Sequence, residues 1–348
     1  MTITAGLDVG GAHLKVALVE SGHTIAVRQI ACPLWQGLDT LEAAILEARP
    51  MLARAQRFAV TMTGELSDLF PDRKTGVETL VRRMSAELGE TARFWMGPCG
   101  FGSAEDACNH ARDVGSTNFL ATAALAARAH PDALLIDFGS TTADIIPVRD
   151  GKPCPRGLTD AERQATGELV YTGFTRTAVM GVASRAPFKG QWVTLAREYL
   201  ATMADVRRIL GANLDELDLH GTADGKGKSL DESVTRLARM LGRDGDDGTL
   251  AEWRIAASYL REEQLRSIHD GALLVCSRAA LAAAAPVIAA GIGAGDVALI
   301  AQRLGRPVIA FAELSGATGA SVTDNAEWAT ACAPAVAVAL LLCGDARA

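Results

Sequence analysis

Aromatic residues are scarce in this chain, at 5% of 348 positions. Little material is left for a base-stacking surface. Basic residues do not dominate either: 34 Lys and Arg stand against 41 Asp and Glu, a formal charge of −7. A global electrostatic footprint for nucleic acid is missing, and no nucleic-acid partner is expected. The seven cysteines, at 32, 99, 108, 154, 276, 332 and 343, form no C-x-x-C pair and no His–Cys grouping with zinc spacing. An odd, scattered set in a chain this long is expected as reduced thiols in a cytoplasm. The N-terminus carries neither a basic nor an apolar leader segment. The apolar run from Ala331 to Cys343 is too short for a membrane span and contains Pro334. It is expected as a buried terminal helix, and no membrane partner is expected.

What is present is core material and glycine. Hydrophobic residues make up 49% of the chain, and there are 34 glycines. The length exceeds what one core usually serves, so two lobes sharing a cleft are expected. The segment Ile3 to Glu20 reads strand–turn–strand around Asp8-Val9-Gly10-Gly11. A second such unit starts at Leu134. An offset of 129 residues lays Asp137 on Asp8, Gly139 on Gly10 and Asp144 on Lys15. This internal repeat predicts two related lobes, 1–130 and 131–325, each opening with a hairpin whose turn faces the cleft. The stretch 159–270 reads as a helical insertion in the second lobe. It includes helices over 191–210 and 229–241. Residues 326–348 are expected to pack back on the first lobe. A helix over 116–129 is expected to be capped by Ser116 or Thr117.

Consecutive glycines in a hairpin turn let oxyanions reach backbone amides that a Cβ would block. Gly10 and Gly11 offer this at the first turn. Gly139, Ser140, Thr141 and Thr142 offer amides and hydroxyls at the second. The aspartate ahead of each turn repels phosphate but can hold Mg²⁺, which then bridges phosphate oxygens. Asp8 and Asp137 are thus the candidate metal ligands, and Lys15 supplies a point charge for the same anion. The late run Gly291-Ile292-Gly293-Ala294-Gly295 enters a helix, so Gly293 and Gly295 are further anion candidates.

Two matched Asp-x-Gly hairpins followed by a late glycine turn resemble the actin-like ATPase superfamily, which includes sugar kinases and actin. The resemblance covers nearly the whole chain. It implies an α/β fold of duplicated, ribonuclease H-like lobes around a central cleft. More distinctive strings lie at Gly6-Leu7-Asp8-Val9-Gly10-Gly11, Thr61-Met62-Thr63-Gly64-Glu65-Leu66-Ser67-Asp68 and Gly167-Glu168-Leu169-Val170-Tyr171-Thr172-Gly173. With Arg176-Thr177, Thr222-Ala223-Asp224-Gly225 and Arg236-Leu237-Ala238-Arg239-Met240, they resemble hydantoinase/oxoprolinase-related proteins linked to tetrahydromethanopterin C1 transfer. That group is similar to the synthase of methanofuran biosynthesis.

The resemblance implies that a furan-methyl diphosphate condenses with the phenol of a γ-glutamyl-tyramine, tyramine or tyrosine unit, releasing pyrophosphate. The partners are then these small molecules, and Mg²⁺ is the cofactor. Either Glu65 or Asp144 would take the phenol proton. Arg176, Arg236 and Arg239 would read carboxylates of the second substrate. The same turns also serve an ATP-dependent kinase or oxoprolinase-like hydrolase, in which ATP would bind, or a non-catalytic nucleotide-binding partner protein. An oligomer is compatible with each reading.

Overall fold

The computed structural model describes residues 2–317 and 322–345. The first sheet is built from β1 (Ile3–Val9), β2 (His13–Glu20), β3 (His23–Ala31), β4 (Arg57–Met62), β5 (Ala92–Trp95) and β6 (Phe101–Gly102). Its spatial order is β3-β2-β1-β4-β5-β6. The first three strands form an antiparallel meander, and β4 then runs parallel to β1. The helix Leu38–Leu52 provides the crossover a parallel return requires, burying Leu41, Ala44, Ile45 and Ala48 on one face.

The second sheet repeats this plan. β7 (Ala133–Phe138) and β8 (Ala143–Arg149) form its hairpin, and two short strands, β9 (Lys152–Pro153) and β10 (Leu169–Val170), both pair with β8. After a further hairpin, β11 (Arg185–Phe188) and β12 (Gln191–Thr194), the chain returns as β13 (Val287–Ala290) and β14 (Val308–Ala310). Both lie parallel to β7, giving the order β10-β8-β7-β13-β14. The two hairpins match in register as well as in sequence. Asp8 faces Lys15 across β1–β2, and Asp137 faces Asp144 across β7–β8. The Gly10 amide donates to His13 O at 2.9 Å, and the Gly139 amide donates to Thr142 O at 2.9 Å. The chain is therefore an α/β protein with duplicated actin-like lobes.

Two helices fill the space between the sheets. Asn118–Ala129 and Ala333–Cys343 join one apolar cluster with Ala17 and Val19 of the first sheet and Leu135, Ile146 and Ile288 of the second. Ala333–Cys343 is apolar on all sides, as a helix with no solvent face must be. Its alanines bring it close to β1. A Cβ on Gly6 would stand 1.9 Å from Ala335 O, so Gly6 sets the contact distance. The terminal segment is two helices, Val322–Ala331 and Ala333–Cys343, parted at Cys332 just ahead of Pro334. Residues 346–348 of that segment lie outside the described residues.

A third core belongs to the insertion. Helices Met203–Ile209 and Leu230–Met240, β11–β12 and the first half of the helix Leu250–Ala279 enclose it, with Trp253 stacked on Phe188 at 4.3 Å. The span 191–210 is not one helix. It begins as β12 and turns helical only at Met203, because Gln191-Trp192-Val193-Thr194 pairs as a strand with Arg185–Phe188. The 30-residue helix Leu250–Ala279 does not stop near 270. Its second half packs Ile268, Ala272 and Val275 against Ile136 and Ile145, so one helix serves both cores.

Candidate active site

The two hairpin turns face one cleft of about 510 Å³. Asp8, Gly10, Gly11, Lys15, Asp137, Gly139, Ser140, Thr141, Thr142, Asp144 and Arg176 all line it. On its floor, Lys15 Nζ lies 3.3 Å from Asp8 Oδ2. Burial pushes the Asp8 carboxyl up, and Lys15 and the Asn118 side chain oppose this. Burial works against the Lys15 charge, yet the Asp8 and Asp137 carboxylates favour the ammonium and its pKa lies above the ordinary value. Burial, with Asp144 beside it, pushes Asp137 up to about 7. Asp8 Oδ1 is buried without a hydrogen-bond partner.

The turns hold amides in reserve. Those of Gly10 and Gly139 close their own hairpins. Those of Gly11, Ala12, Ser140 and Thr141 have no backbone acceptor among the described residues. Arg176 sits over the second turn: its amide donates to Ser140 O at 3.0 Å and its Nη1 to Thr141 Oγ1 at 3.2 Å. Its guanidinium lies 4.9 Å from the Trp35 ring centroid and, among the described residues, has no carboxylate within ion-pair distance. Gly173 allows this approach. A Cβ there would stand 2.1 Å from Ser140 O.

The remaining candidates are engaged by other groups or lie outside the cleft. Asp144 is ion-paired to Arg163, which also covers the Phe119 ring, so its carboxylate is already engaged. Glu65 is 1% exposed and sits beneath the cleft wall, where Ser116 Oγ donates to it at 2.6 Å. Gly293 packs on Phe138, where a Cβ would come within 2.2 Å of the ring, and its amide donates to Phe138 O. It therefore has no free amide to give an anion. Gly295 faces a separate cavity of about 670 Å³. Asp296 next to it is held by Arg207 at 2.5 Å and by Arg261.

Arg236 and Arg239 are not in the cleft. Arg236 is fully buried in the insertion, bonded to Asp205 at 2.8 Å and Asp224 at 3.0 Å, and Arg239 reaches the same Asp224 at 3.5 Å. The 222–227 loop folds over the helix and brings Asp224 to both arginines.

Several cleft residues escape a reading of the sequence alone. Ser116 was expected as a helix cap, but Asn118–Ala129 starts two residues later and Thr117 makes no side-chain cap. Asn118 steadies Asp8. His13 is buried with Nε2 unpartnered, and its ring lies 4.7 Å from that of His220. Burial, then His220, Lys15 and Arg176, push its pKa down to about 2, so it is a neutral imidazole. Trp35 and Tyr171 supply aromatic wall. A scan of the residues flanking the two turns finds His13, whereas Trp35 lies far from both turns in the sequence. The spatial partners Asn118 and Arg163 leave no local signal.

Asp8 and Asp137 fit Mg²⁺ on their own terms: two buried carboxylates, one with an orphaned oxygen, beside turns that can present phosphate oxygens. Among the described residues no group of three or more His, Cys, Asp or Glu forms a ready cage. Mg²⁺ usually takes one or two carboxylates, with substrate phosphate and water completing its shell. Among the described residues, no helix is long and apolar enough to cross a membrane.

A Methanocaldococcus jannaschii protein named (4-{4-[2-(gamma-L-glutamylamino)ethyl]phenoxymethyl}furan-2-yl)methanamine synthase is 33% identical over 240 residues, 69% of this chain and 71% of that protein. A Methanococcus vannielii protein of the same name is 35% identical over 114 residues, covering 32% of this chain and half of its own length (50%). A nucleotide-free acetone carboxylase structure superposes with a TM-score of 0.54 at 12% identity, over 87% of this chain and 67% of that one, which speaks to the fold alone. The hydantoinase/oxoprolinase family profile matches residues 57–319, three quarters of the sequence, which takes in the second turn and starts after the first, and the chain belongs to that family.

Proposed function

We propose that this protein is a synthase that joins a furan-methyl diphosphate to the phenol of a γ-glutamyl-tyramine, tyramine or tyrosine unit, releasing pyrophosphate in the assembly of a methanofuran-type cofactor. The names of its relatives support the substrate class. One structural observation supports the leaving group. Arg176 is half-buried over the second turn without a carboxylate partner among the described residues, in the same cleft as Lys15 and four turn amides that have no backbone acceptor. A polyanion is what such a set accommodates.

A furan-methyl carbon tolerates developing positive charge, so its C–O bond breaks readily once the departing diphosphate is stabilised. Lys15, Arg176 and the amides of Gly11, Ala12, Ser140 and Thr141 take up that charge in a site pre-arranged for it. Asp8 and Asp137 would hold Mg²⁺, which supplies further charge neutralisation on the diphosphate when bound. Trp35 and Tyr171 flank the flat rings, and neutral His13 adds no competing cation.

The test is incubation with Mg²⁺, an aminomethylfuran-methyl diphosphate and tyramine, with ether and pyrophosphate measured by mass spectrometry and enzymatic assay. Equimolar ether and pyrophosphate are expected. No ether, together with saturable ATP turnover, would move the protein to the kinase or hydrolase reading.

A further inference from the structure

We propose that Ser116 relays the acceptor's phenolic proton to Glu65, so that a cleft-wall serine and the carboxylate buried behind it act as one base. This rests on the synthase reading and names a group it leaves open. Glu65 does not line the cleft; Ser116 does. The Ser116 hydroxyl donates to Glu65 Oε1 at 2.6 Å, which leaves its own lone pairs free to accept a proton from the cleft side.

The local backbone serves this contact. Ser116 has φ +55°, a left-handed conformation that is unfavourable for a non-glycine residue. Gly115 before it packs directly on the carboxylate, where a Cβ would come within 2.9 Å of Oε1. The Glu65 loop is also tied to the first anion turn, since the Thr63 amide donates to Val9 O at 3.0 Å. The dyad therefore opens on the same cleft as Asp8 and Lys15.

Glu65 is short of partners for a purely structural carboxylate. Its Oε2 has none, and the nearest cation, Arg73, is 4.0 Å from Oε1. Burial pushes its carboxyl up to about 7; Ser116, the residue's own backbone amide and Arg73 oppose this, and Asp160 adds to it. A base in that range holds a proton long enough to remove it from a phenol and releases it afterwards.

The step balances. The phenol oxygen bonds to the furan-methyl carbon as the carbon–diphosphate oxygen bond breaks, and that bond's electron pair leaves with the diphosphate. The phenol proton passes to Ser116 Oγ while the Ser116 proton passes to Glu65 Oε1. Glu65 ends the step protonated and returns the proton to solvent after product leaves.

The test compares two acceptors: tyramine, protonated at its phenol at pH 8, and a nitro-substituted phenol already ionised there. Ether formation is measured for the wild type, Ser116→Ala and Glu65→Gln, with the fold checked by circular dichroism. With tyramine, both variants should lose about 10²- to 10⁴-fold in kcat, while the ionised phenol should bring them back to within about threefold of the wild type. The wild-type rate on tyramine should rise with pH to a plateau past about 7, and Glu65→Gln should lack that rise. Equal losses on both phenols, or a Ser116→Ala rate on tyramine near that of the wild type, would overturn the relay. A wild type that makes no ether from either phenol would remove the synthase reading itself, which is visible before any variant is compared.

Discussion

Lys15 closes on Asp8 at 3.3 Å across the first hairpin, and the second hairpin places Asp144 where Lys15 stands in the first. The repeat has kept the carboxylate on one strand and reversed the charge on the other. Two carboxylates then face each other across β7–β8, and the structure relieves them by pairing Asp144 with Arg163. Asp137 is left to share Lys15 with Asp8. One ammonium between two buried carboxylates leaves residual negative charge at the cleft floor, which is where a divalent cation would be welcome.

Metal dependence follows. Exhaustive chelation should abolish ether formation and added Mg²⁺ should restore it. Asp137→Asn should raise the Mg²⁺ concentration giving half-maximal rate by about tenfold or more, the scale on which a charge-assisted contact exceeds a neutral one. Unchanged rates after chelation would remove both aspartates from a metal role.

Arg236 should matter for folding and not for substrate. It is fully buried between Asp205 and Asp224, and its removal strands the 1%-exposed Asp205 with Arg208 at 3.8 Å. Breaking a buried network from one side costs about 3–5 kcal/mol. Urea unfolding of Arg236→Ala should show a loss of that order, while KM for both substrates stays at the wild-type value in the folded fraction. A selective rise in the phenol's KM would return Arg236 to substrate recognition.

The contrast between Arg176 and Arg236 shows what the sequence makes legible. The two glycine turns stand out because a 129-residue repeat aligns glycines and aspartates whose local conformation is set by nearest neighbours. Arginines carry no such mark. Arg236 and Arg239, three apart on a helix, look alike whether they meet a substrate carboxylate or an aspartate, and the deciding partner, Asp224, arrives on a loop. Ser116 reads as a cap because a serine ahead of an alanine-rich helix usually is one. The competing bond to Glu65, 51 residues away, has no signature in the chain. The 191–210 stretch departs from its expected helix for a related reason: apolar residues at mixed spacing settle as strand once β11 lies beside them.

Glu65 should give stability its own pH dependence. An unfolded glutamate ionises near 4.5, while the buried one keeps its proton to about 7. Between these values the unfolded state binds fewer protons, so folding stability falls as pH rises and stays lower above 7. Glu65→Gln removes that slope. The stability of the variant relative to the wild type, from urea melts at pH 4.5 and 8, should improve by on the order of 3 kcal/mol across the interval. A difference independent of pH would mean that Glu65 is ionised in the fold throughout.

Gly173 and Gly11, at the two hairpin turns, should respond differently to a methyl group. A Cβ on Gly173 would meet Ser140 O at 2.1 Å and Thr141 N at 2.3 Å, both backbone atoms that cannot yield alone. Gly173→Ala must lift the 173–176 segment off the second turn and take Arg176 with it, at a stability cost of about 1–3 kcal/mol. Gly11 has nothing within 4 Å of its Cβ position and faces the open cleft. Gly11→Ala should therefore leave the melting temperature unchanged, yet place a methyl where the diphosphate approaches the turn amides. Both variants should weaken inhibition by pyrophosphate by about tenfold or more, the scale of one charge-assisted hydrogen bond to the anion. Only Gly173→Ala should also melt earlier. Wild-type pyrophosphate inhibition in Gly11→Ala would mean that the anion does not rest on the first turn, whatever the second one holds.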